Sequence, residues 1–300
     1  MSTGRSICNG EKSKDKILDG VNDAPALRAA DVGVAMGQAG TQVAKSAADM
    51  VLTDDNFATI VSAIREGRNV FSNIRKTIYF LLVCNLSEIV IMLGAQLSGW
   101  GIPLTPVMLL LINVLGDGIP GLHLAKEQSD ERIMKRKPIG RNESFFSSSI
   151  LKAIIRQTVA FSVVGLAAYY FGAFLSPDSS AEAAQTAGRT MAFLVVAFTS
   201  ILHIFTVRSR SSMFKRKIRD NIPLVYSVIA MLAVFSIMVL VPPIGAVFGL
   251  VPITLQEWLV VLVLTIIPSI VAEISKFWEN RCELRSYRSR VVHHHTQEDD

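Results

Sequence analysis

The chain has 300 residues, half of them apolar, and carries a formal net charge of +5 with a mean hydropathy of +0.40. Positive hydropathy over this length excludes an ordinary soluble globular domain. The basic residues cluster beside apolar segments, which reads as membrane topology and excludes nucleic-acid binding; the three cysteines lack paired or metal-ligand spacing, which excludes a disulfide framework or a zinc site.

Residues 1–15, "MSTGRSICNGEKSKD", are polar and patternless and read as a disordered leader without a signal peptide. Residues 16–75 alternate short strands and helices. "KDKIL", "VGVAMG" and "MVLTD" are strand-like, whereas "APALRAAD", "TQVAKSAAD" and the run from Asn56 onward are helical. Such alternation implies parallel strands with helical crossovers, and about sixty residues is small for that layer, so a partial α/β domain ending in a stalk helix is expected.

Six apolar stretches follow, at 77–98, 104–124, 151–174, 188–207, 222–242 and 255–275, each near the ~20 residues that cross a hydrocarbon core. They define a transmembrane domain over 76–276 and a tail over 277–300. The connections "KEQSDERIMKRKPIGRN" and "RSRSSMFKRKIRD" and the tail are rich in Lys and Arg, whereas "SGWGIPL", "SPDSSAEAAQTAG" and "PPIGAVFGLVPI" have neither. The positive-inside rule then places both termini in the cytoplasm, and an even span count agrees. The expected fold is a mainly α-helical membrane protein: six transmembrane helices preceded by a partial Rossmann-like α/β fragment.

Two polar constellations stand out. In "KILDGVNDAPALRAADVGVAMG", Asp19 and Asp23 flank a turn opened by Gly20. Carboxylates after a strand, one turn apart, can hold Mg²⁺ and position a phosphate; Asn22 adds an amide, and Pro25 suits the first turn of the next helix. Asp23 suits a helix N-cap equally well. In the membrane region, Asn85 and Glu88 share a face of the first span, and Asn113 and Asp117 share a face of the second, at similar depth. Mid-span charges are costly and mark function. Two carboxylates and two amides make an oxygen cage suited to Ca²⁺ and also to Mn²⁺. Gly116, Gly118, Pro120 and Gly121 crowd the same stretch and should loosen the helix around it.

The string "DGVNDAPALRAADVGVAMG", continuing through "GTQVAKSAADMVLTDDNFATIVSAIREGRNVFSNIRKTIYF", resembles the hinge region of P-type ATPases, cation pumps of the haloacid-dehalogenase superfamily. "NLSE" followed by "INVLGDGIP" looks like their fifth and sixth spans, especially in calcium pumps. The resemblance implies Mg²⁺ at Asp19 with Asp23 as its partner, phosphate contact at Asn22, ATP as energy source, and a transported cation, most like Ca²⁺, at Asn85, Glu88, Asn113 and Asp117. It also implies a multi-pass protein of the cell membrane with lipid neighbours. Departures are Ile17-Leu18 where the family has Thr-Gly, Gly116 where two-site calcium pumps often have threonine, and Ser200 where they carry a glutamate; the last two argue for one ion per cycle or a weakened second site. No Asp-Lys-Thr-Gly-Thr string occurs, so no catalytic nucleophile is assigned. The expected function is the C-terminal part of an ATP-driven pump, inactive in hydrolysis by itself and completed by a missing half, on a separate chain in one version. The competing readings are a non-enzymatic membrane cation-binding protein or passive carrier, a membrane-anchored phosphatase, or a pump for Mn²⁺, Na⁺, K⁺ or H⁺.

Overall fold

The computed structural model describes residues 16–18, 21–128, 133–135, 148–175, 180–209 and 221–297. Contacts divide them into two compact units, with the boundary after Asn69 and with Ile133–Lys135 belonging to the first.

In the first unit, strands β1 (Lys16–Leu18), β2 (Gly33–Met36) and β3 (Met50–Leu52) form a parallel sheet in the order β1-β2-β3. Ile17 pairs with Val34, and Ala35 with Val51. Helices α1 (Ala24–Arg28) and α2 (Gln42–Ala47) are the crossovers that parallel pairing requires. Their core is small: Leu27, Ala35 and Ala44 are fully buried. The chain turns sharply after β2, where a Cβ on Gly37 would lie 2.5 Å from the Leu52 carbonyl oxygen, so only glycine fits.

Asp49, Asp54 and Asp55 bond the backbone and side chains around this sheet. Asp49 accepts from the Gly33 amide at 2.9 Å. Asp54 accepts from the Asn56 amide and the Thr59 hydroxyl beside the next helix. Asp55, at φ 50°, accepts backbone amides from Gly37, Gln38 and Ala39 at 2.6, 2.9 and 2.8 Å. The Gln38 and Ala39 amides, then that of Gly37, hold the Asp55 carboxyl below its usual range. A depressed folded-state pKa stabilises above the unfolded value, near 4, and that stability is lost as pH falls through the folded value. Amide exchange at Gly37–Ala39 is therefore expected to be protected at neutral pH and to lose protection in acid below pH ~4, whereas Asp55→Ala should remove that pH dependence. A flat exchange profile in the parent chain would contradict this role.

Helix α3 (Phe57–Leu97) begins in the first unit and supplies the first span of the second. It starts one residue after Asn56, where the helical run is expected, and continues through the apolar stretch at 77–98. The second span combines α4 (Pro106–Leu111), a π-helical segment (Ile112–Gly118) and α5 (Ile119–Ala125). Then come α6 (Ser148–Tyr170), extended by a π turn over Phe171–Leu175, α7 (Ala181–Arg208), α8 (Ile222–Leu240), the short α9 (Pro242–Val247) and α10 (Leu255–Gln297). Among the described residues, six helical spans are long and apolar enough to cross a membrane.

The hub is α7, buried along most of its length. Small residues such as Ala187, Gly188 and Ala192 let neighbours approach closely, as membrane helices require. A Cβ on Gly172 would stand 2.6 Å from the Gly188 Cα, so the π turn after α6 meets α7 glycine to glycine. Leu93, Leu110, Ile155, Ile229 and Val263 face outward, as lipid-facing side chains should.

Candidate cation site

The second span is set up by its sequence. Thr105 caps α4 by accepting from the Met108 amide at 3.3 Å. Further on, Pro120 has no N–H to return to the preceding turn, and Gly116 and Gly118 hold a helix weakly. The helix widens to π geometry over Ile112–Gly118, the segment that carries Asn113 and Asp117. Such widening shifts side-chain directions and is common at functional sites. The loosening expected from the glycines and proline is thus present, as a wider helix and not as a break.

Asn113 donates through Nδ2 to Glu88 Oε2 at 2.8 Å and to the Leu109 carbonyl at 2.9 Å, joining the first and second spans. Glu88 is 6% exposed and Asp117 is fully buried. Glu88 Oε1 and both Asp117 carboxylate oxygens have no hydrogen-bond partner among the described residues. Cys84 of α3 and Ser200 of α7 lie beside the Asp117 carboxylate. The Ser200 hydroxyl is also buried and without a partner. Buried polar atoms are nearly always satisfied, so the bare oxygens of Glu88 and Asp117, with the Ser200 hydroxyl near Asp117, are candidate donors to a cation.

Asn85 stands apart. It is exposed, and its Nδ2 donates back to the Leu81 carbonyl at 2.8 Å. A three-residue step turns ~60° around a helix, enough to move a side chain from the buried face of α3 to its flank. A Cβ on Gly116 would meet Phe235 at 3.5 Å, so the aromatic ring of α8 fills the side of the π segment that a larger residue would occupy. His203 lies one turn beyond Ser200, buried among Tyr79, Phe80 and Phe161, and bonds through Nδ1 to Thr206 Oγ1 at 2.7 Å. That bond lies within α7; the ring meets α3 and α6 through its aromatic neighbours.

Of the hinge residues, Asp19 and Gly20 lie outside the described residues. Val21–Asp23 forms a 3₁₀ turn leading into α1, with Pro25 in its first turn. Asp23 occupies the N-cap position with helical backbone angles, and its side chain does not cap the helix. Sequence reasoning gave no weight to Glu127, Arg208, Asn73 and Asn221, which form a buried polar cluster at the far end of the second span. In the sequence, Glu127 and Arg208 look like loop charges; only burial reveals them.

The chain resembles known proteins along most of its length. Residues 101–278 match the family described as cation transporting ATPase, C-terminus. The calcium-transporting ATPase 1 of Bacillus cereus is 44% identical over 269 residues, covering 86% of this chain and 30% of that protein. The calcium-transporting ATPase of Bacillus subtilis is 38% identical over 251 residues, 84% of this chain and 28% of that protein. The P-type sodium-transporting ATPase4 of Toxoplasma gondii is 53% identical over 125 residues, 42% of this chain and 9% of that protein. The chain therefore spans about 30% of the length of the first two relatives.

Proposed function

The chain belongs to the P-type cation-transporting ATPases as a multi-pass membrane protein, and from that premise we propose that its membrane unit binds one Ca²⁺ for ATP-driven export. Glu88, Asn113 and Asp117 are the oxygen donors, with Ser200 beside them. The observation that carries this reading is the pair of buried carboxylates on neighbouring spans, with three oxygens left unbonded. Calcium takes six to eight oxygen ligands in flexible geometry, which suits carboxylates, an amide and a hydroxyl on loosened helix. Asn85 stays outside the set because its amide is exposed and bonded to Leu81. A single ion fits the small residues at Gly116 and Ser200.

The residues proposed to handle phosphate are Asp19, Gly20, Asn22 and Asp23. The carboxylate and amide oxygens of Asn22 and Asp23, at the head of α1, are of the hard type that Mg²⁺ prefers. Mg²⁺ held there with Asp19 would neutralise charge on a phosphoryl group. The nucleophile and nucleotide site come from sequence outside these 300 residues, and a separate chain is one source of them. The basic connections favour cytoplasmic termini and a site in the cell membrane.

The sodium-transporting relative supports a second reading, in which the same donors take Na⁺. Equilibrium binding of ⁴⁵Ca²⁺ to the purified chain in nanodiscs tests both. Saturable binding of one ion, resistant to excess Na⁺, is expected. No saturable binding would sink the calcium reading, and ready displacement by Na⁺ would favour the other.

A further inference from the structure

Glu127 directly follows Lys126, the C-cap of α5, and is 1% exposed. Its carboxylate accepts from Arg208 Nε at 3.1 and 3.2 Å, from Arg208 Nη2 at 2.8 Å and from Asn221 Nδ2 at 2.7 Å. Asn221 also donates to the His123 carbonyl at 3.0 Å, and its Oδ1 caps α8 by accepting from the Leu224 amide. From α3, Asn73 Nδ2 donates to the backbone carbonyls of Glu127 at 2.6 Å and Ala125 at 3.3 Å. Arg208, Asn73 and Asn221 are all buried.

One residue thus ties the end of the second span to α3, α7 and α8. The same helices carry the surroundings of Asp117: α3 holds Glu88 and Cys84, α7 holds Ser200, and α8 holds Phe235 against Gly116. The π segment replaces the α-helical ladder by wider i→i+5 bonds, so the directions of its side chains depend on how its two ends are held. Pro106 and the Thr105 cap fix one end; the Glu127 cluster fixes the other.

We propose that Glu127, held by Arg208, Asn221 and Asn73, is a positioning residue that sets the rotation of the second span and so brings Asp117 to Glu88. This rests on the cation-binding reading above. Partners one shell removed from a metal site commonly change affinity by ten- to a hundredfold when lost.

The test uses the chain with Cys8→Ser and Cys282→Ser, which leaves Cys84, fully buried beside Asp117, as its single thiol. Three quantities are measured in nanodiscs: the thermal midpoint, the ⁴⁵Ca²⁺ dissociation constant, and the rate at which N-ethylmaleimide alkylates Cys84 without calcium. In Glu127→Leu/Arg208→Met, both buried charges are replaced by apolar side chains, which preserves stability when packing is kept. The midpoint should stay near the parent value while calcium binding weakens at least about tenfold and Cys84 reacts faster. If affinity and alkylation both stay at parent values, the cluster is structural only and the proposal falls. Should the double variant not fold, Asn221→Ser decides, since serine keeps the α8 cap and drops the tie to Glu127; unchanged affinity and alkylation there would overturn the proposal. If the parent binds no calcium, the Cys84 rate alone decides: faster alkylation keeps the positioning role while the calcium reading falls, and an unchanged rate removes both.

Discussion

Replacing Asp117 by Asn is expected to abolish calcium binding and to leave the cation-free chain at least as stable as the parent. The two side chains have nearly the same shape, so packing against Cys84 and Ser200 is kept. What changes is a charge in a fully buried place where neither oxygen is bonded. A buried charge without partners costs several kcal/mol, and an amide avoids most of that cost. The same charge supplies most of the attraction for a divalent ion, which an amide cannot replace. Calcium at a hundred times its dissociation constant should stabilise the parent by about 2.7 kcal/mol, through binding to the folded state alone. Thermal unfolding with and without calcium reads both effects. The variant should show no calcium-dependent shift, and a shift equal to the parent's would remove Asp117 from the site.

Arg208→Met is expected to destabilise the membrane unit by about 3–5 kcal/mol, the usual cost of removing one partner of a buried ion pair. Arg208 makes three hydrogen bonds to a Glu127 carboxylate that is 1% exposed. Adding Glu127→Leu should regain most of that loss, because the penalty lies in a buried carboxylate that has lost its guanidinium and not in the missing contact. The Arg156–Glu279 pair is the natural control. It spans 3.0 Å with side chains 34% and 47% exposed, and removing Arg156 should cost about 1 kcal/mol or less. Denaturant or thermal unfolding in nanodiscs distinguishes the two; equal losses at both pairs would mean that burial does not set their energies.

The transmembrane segments were readable because a long apolar run has few alternatives to spanning a bilayer. The six expected stretches correspond to six helices, with ends moved where the helix outlasts the apolar run, as in α3. The strands around Val34 and Val51 and their crossover helices were readable for a similar local reason: period and turn chemistry are written in adjacent residues. Glu88, Asn113 and Asp117 were visible as polar side chains inside apolar runs, where a charge is costly.

By itself, then, the sequence determined the span number, the α/β character of the first unit and the carboxylates worth watching, since each depends on neighbours in the chain. Tertiary structure alone decided which donors meet. Asn113 reaches Glu88, while Asn85, a fraction of a turn away on α3, faces outward. The glycines and Pro120 announced a weakened helix, but its widening to π over Ile112–Gly118 depends on what packs against it. The pairing of Glu127 with Arg208, 81 residues apart, was invisible in the sequence. Contacts between distant segments are set by how helices pack around α7, and packing depends on the joint shape of many side chains, which no local pattern encodes.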